Sequence, residues 1–449
     1  VSTHIVIDLG FGDAGKGTTV DAIARRCSTP PLVVRHNGGA QAGHNVVSPD
    51  GKQHVFSQFG AATFVPGSKT LLSKHFVLHP TGLLAEHDHL VSIGVWDALS
   101  RLFIDERALV ITPFHQAANR LREKARGAGR HGTCGVGVGE TVADRLNGLP
   151  TLCAADLQDP VALRMKLEEI RRAKRVQLSA LIRDFEGPDP DLEVFSDPTI
   201  VQRTFDIFKA IGSELQIVSP SQSNALIHKT EHVIFEGAQG VLLDEWYGFH
   251  PHTTWSTTTT RNADRLIEDA GRPGPVRRIG VVRAYATRHG EGPFPTEDAA
   301  LTDRIRDSHN VDSGWQGKFR VGWFDLPLTR YALSLCPGIT ELSVTCLDRL
   351  ADAPEWSICE AYSVPSEIEE RFLMKDGLAV ALRSNLAGDL TYQELLTNDL
   401  PRCSPVTRKA PEDVWAYLRE IEAGLGVPVS VASFGPKATD KVWVEPGRV

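Results

Sequence analysis

The sequence predicts an α/β protein, one large domain spanning 1–449 with a mainly parallel central sheet. Its first strand-turn-helix is P-loop-like, and helical and small subdomain insertions elaborate it. Three observations predict this. Short apolar runs recur along the chain, each leaves into a polar or glycine-rich turn, and stretches of helical periodicity lie between them. That alternation is the pattern of parallel strands covered by helices.

Taken in order, His4-Ile-Val-Ile-Asp-Leu9 is short and apolar enough for a buried strand. Gly10 to Gly17 forms a tight turn, and Thr18 to Arg26 a helix. Pro31 to Val34 reads as a second buried strand and feeds a second glycine-rich turn, Asn37 to His44. The stretch 150–230 reads as a helical subdomain within the domain. Asp159-Pro160 supplies a helix cap and first position there, and Leu163, Leu167 and Ile170 recur at helical spacing among charges. Strand-like runs return at Val233–Phe235, Ile279–Tyr285 and Leu342–Leu347. Pro411 to Leu425 has the pattern of an amphipathic helix, and Val427 to Val431 of a strand running into Ser433-Phe-Gly-Pro436. No internal repeat or Pro/Gly/Ser-rich linker divides the chain.

The net charge of −8 gives no whole-surface field for nucleic acid polymers or anionic lipid, so any nucleotide has to be gripped locally. The 7 cysteines are dispersed, which points to reduced thiols and no disulfide framework. No apolar run approaches the ~20 residues that span a bilayer. The expectation is a cytoplasmic protein with small-molecule substrates.

Gly10-Phe-Gly-Asp-Ala-Gly-Lys-Gly17-Thr18 nearly fits G-x-x-x-x-G-K-[ST], with Gly17 where the hydroxyl residue belongs. Successive inward N–H groups and the following helix end can cradle phosphate. Lys16 adds a point charge, and Asp13 can ligate Mg²⁺ or accept a proton. The plainer reading is a strand-to-helix turn that needs glycine for its shape. The second turn presents His44, which taken singly is more often a structural residue than a chemical one. Together the two turns bring Asp, Lys and His to the ends of buried strands, a plausible phosphoryl-transfer site.

These motifs resemble the adenylosuccinate synthetase family. Gly12-Asp-Ala-Gly-Lys-Gly17 is similar to its Gly-Asp-Glu-Gly-Lys-Gly turn, and Gly38-Gly-Ala-Gln-Ala-Gly-His44 to its second turn. Phe235-Glu-Gly-Ala-Gln-Gly240 with Leu242-Leu-Asp244, then Pro251 and Thr254, match a long stretch. Thr287-Arg288, Gly292-Pro-Phe-Pro-Thr-Glu297, Gly322-Trp-Phe-Asp325, Leu347-Asp348 and Ser433-Phe-Gly-Pro436 follow in family order over essentially the whole chain.

The resemblance implies a GTP-dependent ligase that phosphorylates the 6-oxo group of a purine nucleotide and displaces the phosphate with an amine. Asp13 would be the base, with Lys16, His44 and Gln239 as the other catalytic groups. Gly12, Gly15, Lys16, Gly17, Thr18, Arg320, Asp348, Ser433, Gly435 and Pro436 would hold GTP. Asp13, Gln41, Gly43, Thr133, Cys134, Gln239 and Thr254 would hold the purine nucleotide. His289, Trp315, Gln316, Gly317, Lys318 and Arg320 would line the amine pocket. Mg²⁺ would sit on Asp13 and the Gly43 carbonyl, and the partner would be a second copy of the chain, in a homodimer. For Asp348, helix capping after a strand is an equally natural role.

Several positions depart from the family. Ala14 replaces a glutamate, Gln41 an asparagine, Cys134 a threonine and Cys346 a lysine. The amine loop reads Trp315-Gln-Gly-Lys318-Phe-Arg320 in place of Thr-Thr-Gly-Arg-x-Arg, and His289 replaces a valine. Lys318 lacks the planar two-pronged grip of arginine on a carboxylate. The sequence therefore leaves open L-aspartate or another amine, and IMP or a guanine nucleotide as in 2-aminoadenine synthesis. A catalytically idle nucleotide-binding relative is the remaining alternative.

Overall fold

The computed structural model of the protein describes residues 1–129, 131–185, 187–305, 317–352 and 355–445. A sheet of ten strands runs through it. In chain order these are β1 (Ser2–Asp8), β2 (Leu32–Arg35), β3 (Lys69–Leu72), β4 (Leu102–Asp105), β5 (Gln216–Val218), β6 (His232–Gly240), β7 (Val276–Arg283), β8 (Glu341–Thr345), β9 (Val429–Ser433) and β10 (Lys441–Trp443). In space the order is β5-β4-β3-β2-β6-β1-β7-β8-β9-β10. Neighbours are parallel throughout, except that β10 returns antiparallel to β9.

The apolar runs alternate between two cores, one on each face of the sheet. Ile5, Ile7, Leu32, Val34, Val233 and Phe235 join one. Their neighbours Val6, Val33 and Ile234 join the other. Strands buried on both faces lose the apolar–polar alternation, which is why these segments read as continuous apolar runs. A smaller five-stranded sheet is built around Ser357–Ser363.

Element boundaries differ from the sequence reading where turns intrude. The first helix is Lys16–Ala24, earlier than expected, because Gly15 caps it at φ 87° and draws Lys16 into its first turn. Strand β8 stops at Thr345 because Cys346 turns away at φ 58°. The last long helix, Val414–Leu425, starts at an Asp413 cap and ends on left-handed Gly426. Within 150–230 lie the helices Pro160–Gln177, Ser179–Asp184, Pro190–Ser196, Ile200–Glu214 and Pro220–Lys229, together with β5, which extends the large sheet. Asp159 caps the first of these helices, and Leu163, Leu167 and Ile170 are its buried stripe.

Candidate active site at the ends of the central strands

The loops leaving β1 and β2 flank the end of β6, at the carboxyl side of the sheet where open α/β folds place ligands. In the first loop Gly12, Asp13 and Gly15 all have positive φ, 97°, 60° and 87°. The Asp8 carboxylate closes this loop from within. Its Oδ1 accepts from the Gly10 N–H (2.8 Å), and its Oδ2 from the Ala14 N–H (2.9 Å) and Lys16 Nζ (3.1 Å). Thr18 turns its hydroxyl back to the Gly15 carbonyl (3.1 Å). The Thr345 hydroxyl donates to the Ala14 carbonyl (2.7 Å), and Arg283 Nε to that of Asp13 (2.6 Å). Burial raises the Asp13 carboxyl above the usual carboxylate range, against the pull of Arg283 and Lys16.

Asn37 stitches the second loop to β6. Its Oδ1 accepts from the Ala238 N–H (2.8 Å), and its Nδ2 donates to the Ala238 carbonyl and the Ser256 hydroxyl (both 3.1 Å). A β-carbon on Gly38 would stand 2.6 Å from Cβ of Ala238 and 3.2 Å from Oε1 of Gln239. One on Gly240 would meet the Gly10 carbonyl at 2.2 Å. Both loops thus press on the β6 end, and only glycine fits. Gln239 there adopts φ 56°, and both its side-chain polar atoms are buried without a partner. The same is true of the Gln41 amide. These buried amides lack the protein partner that burial ordinarily demands.

His44 opens the short strand His44–Val47, whose hairpin partner is Gln53–Phe56. Its Nδ1–H donates to Glu236, whose other oxygen accepts from the Ala61 N–H (3.0 Å). Nε2 of His44 is buried and unpaired. Burial lowers the imidazole to about 4, although Glu236 opposes this, and Lys16 and Arg35 add to the fall. Burial pushes the Glu236 carboxyl up, but His44 and Arg35 outweigh it and hold it below the usual range. Neutral His44 therefore offers a lone pair at Nε2 and becomes a donor there only once it takes up a proton, which an arriving negative charge favours. Lys16 acts electrostatically on both Asp13 and His44, so carboxyl, ammonium and imidazole share one neighbourhood.

The remaining candidates fall into three groups. Thr133 accepts from Asn119 Nδ2 (3.0 Å), burial pushes the Cys134 thiol up, and half-buried Thr254 donates its N–H to the Leu243 carbonyl (2.9 Å). Beside Thr254, Trp255 comes close enough that a β-carbon on Gly139 would stand 2.9 Å from its ring. At the ends of β8 and β9, Asp348 is exposed in the short 3-10 helix Leu347–Asp352, in its first turn and not capping a long helix. Ser433 donates its hydroxyl to the Gly435 carbonyl (3.2 Å), next to exposed Pro436. Lys441 Nζ reaches the same carbonyl (2.8 Å), and burial lowers its ammonium to about 8.

The third group is the hairpin Ala286–His289 with Phe319–Gly322, in which Arg288 pairs with Arg320. His289 Nε2 lies 3.2 Å from the Gly317 carbonyl, and Gly317 and Lys318 are exposed. The Arg320 guanidinium donates to the carbonyls of Gly290 (2.7 Å) and Gly292 (2.9 Å) and to Glu297 (2.8 Å), so it is held mainly by the chain itself. His289 adds a small electrostatic pull on the Asp13 carboxyl, which brings this hairpin near the first loop. Trp315 and Gln316 lie outside the described residues.

Sequence reasoning missed Asp8, Arg35 and Glu236 as site residues. All are buried, at 1%, 0% and 0% exposure. The signal available was a charge inside an apolar strand, which is rare unless paired.

A family model described as adenylosuccinate synthetase matches residues 5–442. The adenylosuccinate synthetase of Synechocystis sp. is 32% identical over 98% of this chain and 95% of its own. That of Halothermothrix orenii is 30% identical over 97% of both. Among solved structures, a fully ligated adenylosuccinate synthetase from Plasmodium falciparum superposes with a TM-score of 0.80 at 20% identity, covering 99% of this chain and 100% of that one. The succinoaminodeoxyadenylate synthetase of a cyanophage, bound to dGMP with dATP as energy donor, has a TM-score of 0.55 at 16% identity over 98% and 95%.

Proposed function

Because the chain belongs to the adenylosuccinate synthetase family, we propose that this ligase uses GTP to activate the 6-oxo group of a purine nucleotide and replaces it with an amine. The base, Asp13, takes the proton from ring N1, and its raised carboxyl makes it a stronger base for that task. The purine O6 then attacks the γ-phosphate, and GDP leaves. Lys16 and the loop N–H groups steady the charge that develops. His44, protonated as that charge arrives and held by Glu236, donates from Nε2 to the transferring oxygens. The amine attacks C6, loses a proton and expels inorganic phosphate, so GTP, 6-oxopurine and amine become GDP, phosphate and the 6-amino product. Gln239 and Gln41 direct their unpaired amides to the nucleotide.

Among the described residues no three His, Cys, Asp or Glu side chains cluster as a metal cage. The donor set of Asp13 carboxylate and Gly43 carbonyl suits Mg²⁺, which favours hard oxygens and keeps sites open for water and phosphate. When bound there, Mg²⁺ supplies charge neutralisation at the phosphates. The amine is L-aspartate or another amino acid received by His289, Gly317, Lys318 and Arg320, and the active unit is a homodimer. Asp348, Ser433, Gly435 and Pro436 receive the guanine of GTP.

The observation that carries this reading is the buried, unpaired Nε2 of His44 beside the first loop, with its other nitrogen anchored on Glu236. The test incubates the protein with GTP, Mg²⁺ and IMP, GMP or dGMP against a panel of amino acids, and mass spectrometry looks for the adduct. Transfer of ¹⁸O from purine O6 into phosphate is the expected result. GTP loss that needs no purine overturns the reading.

A further inference from the structure

The Asp8 carboxylate lies inside the first loop as an internal anion. It takes hydrogen bonds from the Gly10 N–H, the Ala14 N–H and Lys16 Nζ. The ion pair is shut off from solvent, with side chains 3% exposed for Lys16 and 0% for Asp8. Loop amides and a lysine are the donors that such a turn presents to phosphate. Here the chain's own carboxylate arranges three of them before any phosphate arrives. Between Gly10 and Ala14 stands Asp13 at φ 60°. That conformation strains a non-glycine residue and persists only where its surroundings hold it. Asp8 grips the chain on both sides of it. Ala14, in the position next to Asp13, brings no acid of its own. A buried ion pair adds little net stability, so the pair is better explained by what it positions.

We propose that Asp8 is a positioning residue for phosphoryl transfer, whose carboxylate fixes the left-handed turn at Asp13 and aims the Lys16 ammonium. The inference rests on reading the first loop as the phosphoryl-transfer loop. Asp8 touches no substrate and acts through Lys16 and Asp13, so its removal lowers kcat and leaves GTP affinity nearly intact.

The test is a double-mutant cycle of Asp8→Asn and Lys16→Met in the full chain, read by single-turnover phosphate release and by thermal unfolding. Asp8→Asn is expected to lower kcat about 30-fold or more with KM for GTP within about threefold. In the Lys16→Met background it is expected to cost almost nothing further, because contacting residues that act as a unit are not additive. Wild-type kcat in Asp8→Asn overturns the proposal, and so does an effect that multiplies fully with that of Lys16→Met. If Asp8→Asn does not fold, Asp8→Glu, which keeps the charge and displaces it, takes its place. A kcat loss of about tenfold at unchanged KM then supports the proposal and wild-type kcat overturns it. If the wild type itself releases no phosphate, the proposed function falls. The proposal, which rests on phosphoryl transfer by this loop, then falls with it, whereas an active wild type with unchanged kcat in Asp8→Asn overturns the proposal alone.

Discussion

A β-carbon on Gly17 would stand 2.7 Å from Cβ of His44. The hydroxyl residue of an ordinary P-loop is absent because the imidazole-bearing strand needs that space. Gly17→Ala forces the two loops apart, and overpacking of this kind costs about 1–3 kcal/mol. A lowered Tm and loss of most phosphate release are expected, with calorimetry and a phosphate assay as the measurements.

Asp13→Asn tests the base without disturbing its turn. Asparagine tolerates the left-handed region better than most residues, whereas alanine there adds strain. Turnover is expected to fall by about 10²–10⁴, the range of general acid–base catalysis. The melting temperature should stay near that of the wild type, which a thermal scan checks.

Glu236→Gln leaves His44 a neutral partner of the same shape. It removes the charge that favours the imidazolium, so protonation of His44 becomes harder. Phosphate release is expected to drop by about 10²-fold at neutral pH. Recovery as pH is lowered distinguishes a lost proton donor from a collapsed site.

His4 lies far from the loops, buried in β1, with its imidazole lowered to about 4 by burial and by Arg277, against the pull of Glu341. The native state favours the neutral ring, and the unfolded chain takes up a proton below about 6.5. The stability this group protects is present above that pH and is lost as pH falls towards 4. His4→Phe is expected to flatten the pH dependence of unfolding in that window by up to about 1.4 kcal/mol per pH unit. Urea titrations at pH 7, 6 and 5 measure it.

Lys318 sits exposed just before the hairpin strand Phe319–Gly322. Lys318→Arg offers a carboxylate two parallel donors in place of one point charge. KM for a dicarboxylic amine such as L-aspartate is expected to fall by about tenfold, with kcat little changed, in steady-state assays. An unchanged KM removes Lys318 from the amine pocket.

The large sheet was legible because β1, β2 and β6 are apolar on both faces and end in glycine or polar turns. Lys16 and His44 stand out for the same reason, as charge-bearing groups at glycine-rich exits. Glu236 was quoted within its motif without a role, because its partner lies 192 positions away and the contact exists only once β6 is in register with β2. Asp8 escaped notice because one carboxylate in an apolar run gives no hint of folding back onto the turn that follows. Asp348 could be read as base contact or helix cap, and its exposed place in a 3-10 turn is visible only in three dimensions.

Strand β6 stands between β2 and β1. The strand ends that launch the two loops are thus two ladder spacings apart, about 10 Å. This acts as a fixed gauge, since changing it means shearing two parallel ladders at once. The hairpin Ala286–His289 and Phe319–Gly322 lies outside the large sheet and is not bound by that gauge. Its sequence can therefore change while the spacing between the loops that carry Asp13 and His44 stays as it is.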